Sequence, residues 1–312
     1  DELEDRIEAL LEAQEPAPPP EAPGTAKRDE SVVETYRRFL TEEQVPDLFL
    51  GSFRIVLDCA NGAASVVAPE VLRALGAQLH ACNFHPDGTN INRKCGSTHA
   101  SLLSPLVRGE KADLAICLDG DGDRCILIDE NGAVVDGDRL LLLLARHLRE
   151  EGRLRDGRVV CTVMSNLGLI KALEADGFEV HTCAVGDRSV TRCMREKEAV
   201  LGGEKSGHIV CAENGLLIGD GLRTALLALH AMKKAGASLA ELTAGLRAYP
   251  QVLLNVPVRE KPDLSTLPAV RAAQNRAELE LGTEGRVLVR YSGTEMLRSE
   301  ERRVGKECRS WW

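Results

Sequence analysis

Leu114-Ala115-Ile116-Cys117-Leu118-Asp119-Gly120-Asp121-Gly122-Asp123-Arg124-Cys125-Ile126-Leu127-Ile128-Asp129 decides the fold. An apolar run, a loop of alternating aspartate and glycine, and a second apolar run read as two buried strands joined by an acidic turn. Three carboxylates this close repel one another, which a solvated surface tolerates at modest cost. Here the flanks read as buried, and the intervening glycines let the backbone fold tightly enough for Asp119, Asp121 and Asp123 to converge. Converging carboxylates at the C-terminal end of a strand suit a hard divalent cation. Mg2+ is favoured where a phosphate supplies a further oxygen. Arg124 can hold that phosphate through two parallel N–H donors. A purely structural acidic turn is one competing reading. An EF-hand is another, because Asp119, Asp121, Asp123, Ile126 and Glu130 keep its spacing. However, Arg124 stands where that loop needs glycine, and the flanks are strands.

Outward from this loop, strand and helix alternate. Arg54–Ala60 reads as a strand, Val66–Leu75 as a helix and Gln78–Phe84 as a strand. A helix near Leu102–Glu110 then leads into Asp113–Leu118. After the turn at Asn131-Gly132 a leucine-rich helix starts near Gly137. Strand Val159–Val163, helix Leu169–Ala175, strand Glu179–Val185, helix Val190–Lys197, a short strand near Val200 and helix Gly221–Lys234 follow. Two successive β-α blocks imply an α/β chain with open, largely parallel sheets covered by helices. A third block has strands at Gln251–Val256 and Arg286–Arg290 with one helix between them. Arg298–Trp312 carries no helix or strand pattern, and the block is too small for a core of its own. At the other end, residues 1–13 read as an amphipathic helix, the proline-rich Pro16–Gly24 as an exposed linker, and Ser31–Leu40 as a second helix.

Composition narrows the function. With 312 residues, two or three domains are expected. A net charge of −9 argues against extended nucleic-acid or anionic-membrane surfaces, though not against a small phosphorylated ligand. Aromatics at 3% leave no stacking platform for single strands. Leu140–Leu144 is far too short to span a membrane, and no signal peptide is visible. The ten cysteines include no CxxC pair and sit mostly in apolar runs, so they read as reduced core thiols of a cytoplasmic protein. The chain opens without Met, which reads as a start inside a longer protein.

Further loops carry chemistry. Gly202-Gly203-Glu204-Lys205-Ser206-Gly207-His208 follows a short strand, and Glu204 and Ser206 suit sugar hydroxyls. Arg290-Tyr291-Ser292-Gly293-Thr294-Glu295 offers a guanidinium, hydroxyls and a glycine-loosened backbone, a nest for phosphate built on Arg290, Ser292, Gly293 and Thr294. His208 is a candidate acid–base residue, and Asp187 and Arg188 of Gly186-Asp187-Arg188 can line a phosphate path. Each also reads as an ordinary polar loop. In Asn90-Ile91-Asn92 with Cys95-Gly96-Ser97-Thr98-His99, a Cys95–His99 nucleophile pair lacks an oxyanion motif. A loop shaping the rim of a site is the better reading.

Taken in order, the three loops resemble those of the α-D-phosphohexomutase superfamily. Asp119–Arg124 looks like its metal loop, Gly203–His208 its sugar loop and Arg290–Glu295 its phosphate loop. The Asn90–His99 segment, Ser165-Asn166-Leu167-Gly168 and Gly203–His208 resemble its bacterial phosphoglucosamine mutase branch. The resemblance implies two successive α/β/α domains, 51–136 with the metal loop and 137–249 with the sugar loop. A truncated α+β lid at 250–297 follows, with 1–50 the end of a first domain and its connecting helix. It further implies Mg2+ on Asp119, Asp121 and Asp123, a sugar grip by Glu204 and Ser206, and a phosphate clamp by Arg290, Ser292 and Thr294. The implied reaction interconverts glucosamine 6-phosphate and glucosamine 1-phosphate, toward UDP-N-acetylglucosamine. It passes through an enzyme phosphoserine and a sugar 1,6-bisphosphate that is both intermediate and activator. A homodimer is compatible with it.

Two features depart from the family pattern. No Ser-His-Asn-Pro-type segment occurs, so the nucleophilic serine is absent from this chain and the fragment is expected to be inactive alone. Met296 replaces the expected proline, and Arg298–Trp312 reads as a non-native tail, similar to a translated sequencing adapter. The alternatives are a phosphomannomutase or phosphoglucomutase of the same superfamily, a non-catalytic sugar-phosphate-binding protein, or a Mg2+-dependent phosphatase. The last would need an Asp-x-Asp start on a separate strand.

Overall fold

The computed structural model describes residues 2–13, 24–27, 29, 31–154, 156–212, 217–257, 260–291 and 297–303. Residues 1–36 form one unit and 37–312 another. The first unit holds helix α1 (Glu2–Glu12), whose Leu3, Ile7, Leu10 and Leu11 are exposed, and the start of α2 (Ser31–Arg38). The sequence pattern predicts α2 as far as Leu40, but the chain widens into a π turn over Phe39–Gln44.

In the larger unit, β1 (Arg54–Asp58), α3 (Ala68–Ala74), β2 (Gln78–Cys82), α4 (Ser104–Glu110), β3 (Leu114–Leu118), β4 (Cys125–Asp129) and β5 (Val134–Val135) build a sheet of order β2-β1-β3-β4-β5. Strand β1 is parallel to β2 and β3, while β4 is antiparallel to β3 and to β5. The reversal is forced by chain length. Leu118 pairs with Cys125, so the acidic loop is a hairpin connection, and only long crossovers can keep neighbours parallel. Every residue of β3 and β4 is buried, which is why both read as continuous apolar runs.

The second layer comprises α5 (Gly137–Glu150), β6 (Arg158–Thr162), α6 (Leu167–Ala175), β7 (Glu179–Cys183), α7 (Asp187–Lys197), β8 (Leu201–Gly203), β9 (Ile209–Cys211), α8 (Gly221–Ala235) and α9 (Leu239–Thr243). Its sheet order is β7-β6-β8-β9. Only the β8–β9 pair is antiparallel. Helices α5 and α8 are the core: Leu140–Leu144 and Leu222–Met232 are buried all round, as befits helices covered on every side. Asp136 and Asp220 cap them, accepting from Arg139 N at 3.2 Å and Arg223 N at 2.9 Å. The short β5, β9 and α9 escape periodicity analysis.

The last layer has β10 (Gln251–Pro257), α10 (Pro268–Leu281), β11 (Val287–Tyr291) and β12 (Leu297–Arg303). Its sheet order, β10-β12-β11, corrects the expectation that Arg298 onward forms no strand, because the backbone of 297–303 is the middle strand. Ladder pairing is a backbone property, and no proline interrupts this segment. The rest of the expected tail, 304–312, lies outside the described residues. Among the described residues the nine cysteines are free, and no helix is long and apolar enough to cross a membrane.

One buried carboxyl makes stability pH-dependent. Burial, reinforced by Asp136, pushes Asp138 up to about 6 against the Asn166 N–H, Ser165 and Lys205. The folded chain therefore holds this proton more tightly than the unfolded one. The stability it contributes is present below the ordinary aspartate range and is lost as pH rises through about 6. Between pH 4.5 and 7, Asp138→Asn is expected to shrink the loss of unfolding free energy by about 2 kcal/mol relative to the parent. Urea melts at both pH values measure this, and equal losses in the two proteins would contradict it.

Candidate active site

The acidic hairpin brings its carboxylates together as its sequence suggests. Oxygens of Asp119, Asp121 and Asp123 all lie within 4.8 Å of one another. Asp119 is 1% exposed, Asp123 half-buried and Asp121 exposed. The Arg124 backbone N–H donates to Asp119 Oδ1 at 3.1 Å, and its Nε lies 2.6 Å from Asp119 Oδ2 and 3.5 Å from Asp123 Oδ1. Burial opposes the Arg124 charge, but Asp119, Asp123 and Asp121 outweigh it and raise its pKa. Asp119 Oδ2 and Asp123 Oδ1 are buried, and the Arg124 guanidinium is the cation set against both. Two buried carboxylates sharing a single guanidinium, beside a third carboxylate, leave net negative charge and oxygen donors that fit a hard divalent cation.

Contacts from four directions fix this loop. Ala63 N donates to Gly120 O at 2.8 Å, and Gly221 N at the start of α8 donates to Gly122 O at 2.9 Å. The Asn90–His99 segment forms a wall, since a Cβ on Gly120 would meet Asn92 Nδ2 at 2.6 Å and Ile91 Cδ1 at 2.8 Å. Asp58 holds that segment in place, accepting from Gly96 N at 2.8 Å. Cys95 and His99 are not paired: His99 Nδ1 meets Thr98 Oγ1 at 3.0 Å, while Cys95 Sγ lies 4.0 Å from Asn61 Nδ2. Burial and Asp58 push the Cys95 thiol up, away from a reactive thiolate.

The fourth direction is the Gly203–His208 loop, the connection between β8 and β9. Cys125 N donates to Gly207 O at 3.0 Å, and Arg124 and His208 form an antiparallel bridge. The His208 ring, 7% exposed, donates from Nδ1 to Asp123 Oδ2 at 2.9 Å. The N-terminus of α5 packs beneath the loop, with Gly137 N on Lys205 O at 3.0 Å. Glu204 Oε1 accepts from Gly186 N at 2.9 Å, which brings the exposed Asp187 and Arg188 at the start of α7 alongside. Ser206 is exposed, and Lys205 Nζ bonds Gln251 Oε1 of β10.

Arg290 lies on β11, its Nε buried without a hydrogen-bond partner among the described residues. Ser292, Gly293 and Thr294 lie outside the described residues. No hydrogen bond or ion pair among the described residues joins Arg290 to the first two loops. Sequence reasoning missed Asp58, Gly62, Gly137 and the Gly219-Asp220-Gly221 turn. That turn repeats the Gly-Asp-Gly pattern of the acidic loop, a signal that was there to read. A Cβ on Gly219 would enter the His208 ring, and one on Gly221 would lie 2.5 Å from Arg124 O.

Family models of phosphoglucomutase/phosphomannomutase match in three consecutive pieces. They are α/β/α domain II at 34–132, α/β/α domain III at 136–249 and the C-terminal domain at 253–297. A phosphoglucosamine mutase of Cereibacter sphaeroides is 44% identical over 99% of this chain and 68% of its own length. The chain belongs to the phosphohexomutase family. Phosphoglucosamine mutases of Desulforudis audaxviator and Mycolicibacterium paratuberculosis are 47% and 44% identical, each over 95% of this phosphohexomutase chain and 66% of the relative. The chain thus spans about two thirds of the length of these curated relatives. Among solved structures, an Aspergillus fumigatus N-acetylphosphoglucosamine mutase in complex with GlcNAc-6P and magnesium superposes with a TM-score of 0.72. It is 19% identical, over 88% of this chain and 67% of that one. A Burkholderia thailandensis phosphoglucomutase/phosphomannomutase family protein superposes at 0.70, 22% identical, over 88% and 61%.

Proposed function

We propose that this chain is the metal-, sugar- and phosphate-binding part of a phosphoglucosamine mutase, interconverting glucosamine 6-phosphate and glucosamine 1-phosphate. The observation that carries the proposal is the bonding of the metal loop to the sugar loop, through Cys125 N to Gly207 O and His208 to Asp123. It couples charge neutralisation to sugar placement in one rigid unit. Phosphoryl transfer asks little more of a protein than this. Bound at Asp119, Asp121 and Asp123, Mg2+ would supply charge neutralisation at the transferring phosphoryl group. Arg124 grips the reacting phosphate. Glu204 and Ser206 hold sugar hydroxyls in either orientation, Asp187 and Arg188 line the approach, and Arg290 with Ser292, Gly293 and Thr294 clamps the phosphate that is not reacting. A sugar 1,6-bisphosphate can then reorient between two transfers. The fungal neighbour's GlcNAc-6P and magnesium are in keeping with this, as is a cytoplasmic setting. His208 serves as a positioning residue for Asp123, a role its buried ring and hydrogen bond favour over acid–base catalysis.

The phosphoserine must come from residues outside these 312. A chimera tests the reading: the portions of the Mycolicibacterium paratuberculosis enzyme outside the matched segment are joined to this chain. Expected is turnover on glucosamine 6-phosphate at least about tenfold above glucose 6-phosphate and mannose 6-phosphate, within the discrimination one polar contact can give. The chain alone, given glucosamine 6-phosphate and a bisphosphate activator, should not exceed its Asp119/Asp121/Asp123→Ala control. A preference for glucose or mannose phosphates would transfer the assignment to the neighbouring branch. A folded chimera without turnover would refute mutase function. His208→Gln is expected to weaken Mg2+ binding about 10–100-fold with little change in melting temperature, the usual cost of losing a partner to a metal ligand. Unchanged affinity would show that Asp123 needs no such partner.

A further inference from the structure

A second cluster lies between the core helices, away from the acidic loop. Helix α5 carries His147, with Glu151 one turn further on as its C-terminal cap, and α8 carries His230. His147 Nε2 lies 3.1 Å from His230 Nδ1 and 3.5 Å from Glu151 Oε2, and His230 Nδ1 lies 3.4 Å from Glu151 Oε1. The carboxylate faces each ring with a different oxygen, and one ligand atom from each residue lies within 4.8 Å of the others. A tetrahedral ion with bonds of about 2.0–2.1 Å places its ligands about 3.3–3.4 Å apart, so a small turn of the carboxylate closes the set. Both rings are nearly sealed from solvent, and all three residues line a cavity of about 550 Å³ shared with Glu43, Asp47 and Glu150. The cluster has opposing charges too: Arg153 Nη1 is 3.3 Å from Glu151 Oε2, and Lys234 lines the same cavity.

We propose that His147, Glu151 and His230 form a second metal site, which takes a divalent transition ion of the Zn2+ type and discriminates against Mg2+. Two imidazoles and one carboxylate are a borderline-soft set. The three carboxylates of the acidic loop are a hard one, so the two sites sort metals by ligand chemistry. The ion would staple α5 to α8. Each of these helices reaches a loop of the active site with its first residue, Gly137 to Lys205 O and Gly221 to Gly122 O. The competing arrangement is a proton-sharing triad, which uses the same contacts without metal.

The test uses the full chain, stripped with a chelator and held in excess Mg2+, then titrated with Co2+ as a spectroscopic probe and with Zn2+. The expected result is one equivalent of Co2+ giving visible d–d absorption without a thiolate charge-transfer band, displaced by Zn2+. The melting temperature should rise by about 4 °C at a hundredfold excess of Zn2+ over its dissociation constant. His147→Gln and His230→Gln should each weaken Co2+ binding by at least about 100-fold while Asp119→Asn leaves it intact. Circular dichroism confirms folding, and Glu151→Gln replaces any histidine variant that does not fold. No Co2+ spectrum, a thiolate band, or binding that survives both histidine substitutions would overturn the proposal.

Discussion

Asp119→Asn is expected to lower turnover of the completed chimera by about a thousandfold or more, the scale set by loss of electrostatic stabilisation at a transferring group. Asp119 is the most buried of the three carboxylates, and its Oδ2 is held by the Arg124 guanidinium. An amide of the same shape preserves an oxygen for the Arg124 N–H, so the loop keeps its path. It also places N–H donors where a cation needs an anionic oxygen, and it releases the Arg124 side chain from its nearest charge at 2.6 Å. Mg2+ binding by the chain and steady-state turnover of the chimera should fall together, with the circular dichroism spectrum unchanged. A loss under about tenfold would mean that the acidic loop is a structural turn and that charge is neutralised elsewhere.

Gly207→Ala carries the largest expected effect on folding. Gly207 has φ of +95°, and a Cβ there would meet the Cys125 carbonyl oxygen, its carbon at 2.9 Å and Ile126 Cδ1 at 3.0 Å. Neither cost can be relieved by swinging a side chain, because the obstacle is the backbone that Gly207 O itself binds. Adverse φ and overpacking together cost about 3 kcal/mol or more, which lowers the melting temperature by about 5 °C or more. Gly109→Ala is the control: it lies in α4 with nothing within 4 Å of its would-be Cβ, and should be neutral or slightly stabilising. Thermal melts with Mg2+ titration check both. Near-native stability in Gly207→Ala would show that the two loops are not held by this contact.

What was legible followed the range of the interactions. The acidic hairpin is local: its strands, its loop and its glycines are neighbours in sequence, and Leu118 pairing with Cys125 closes it as the pattern implies. The same holds for the Gly203–His208 turn. Asp58 and Gly137 were not legible, because each matters only through a backbone brought near from far along the chain, whereas Gly221 belongs to a Gly-Asp-Gly repeat that the sequence does display. Strands β5 and β9, with two and three residues, are too short for a period to show. Strand β12 is hidden for the opposite reason: its pairing comes from backbone register rather than side chains. His147 and His230 sit inside helices that look like plain apolar core, and only the crossing of α5 and α8 makes them neighbours.

The claim that the joined loops form an amino-sugar bisphosphate site is met most directly by calorimetric titration of the chain with glucosamine 1,6-bisphosphate. The account predicts Mg2+-dependent binding that disappears in the Asp119/Asp121/Asp123→Ala chain and weakens at least about tenfold for mannose 1,6-bisphosphate. Binding that ignores Mg2+ and the triple substitution, or that is equal for the two sugars, would contradict it.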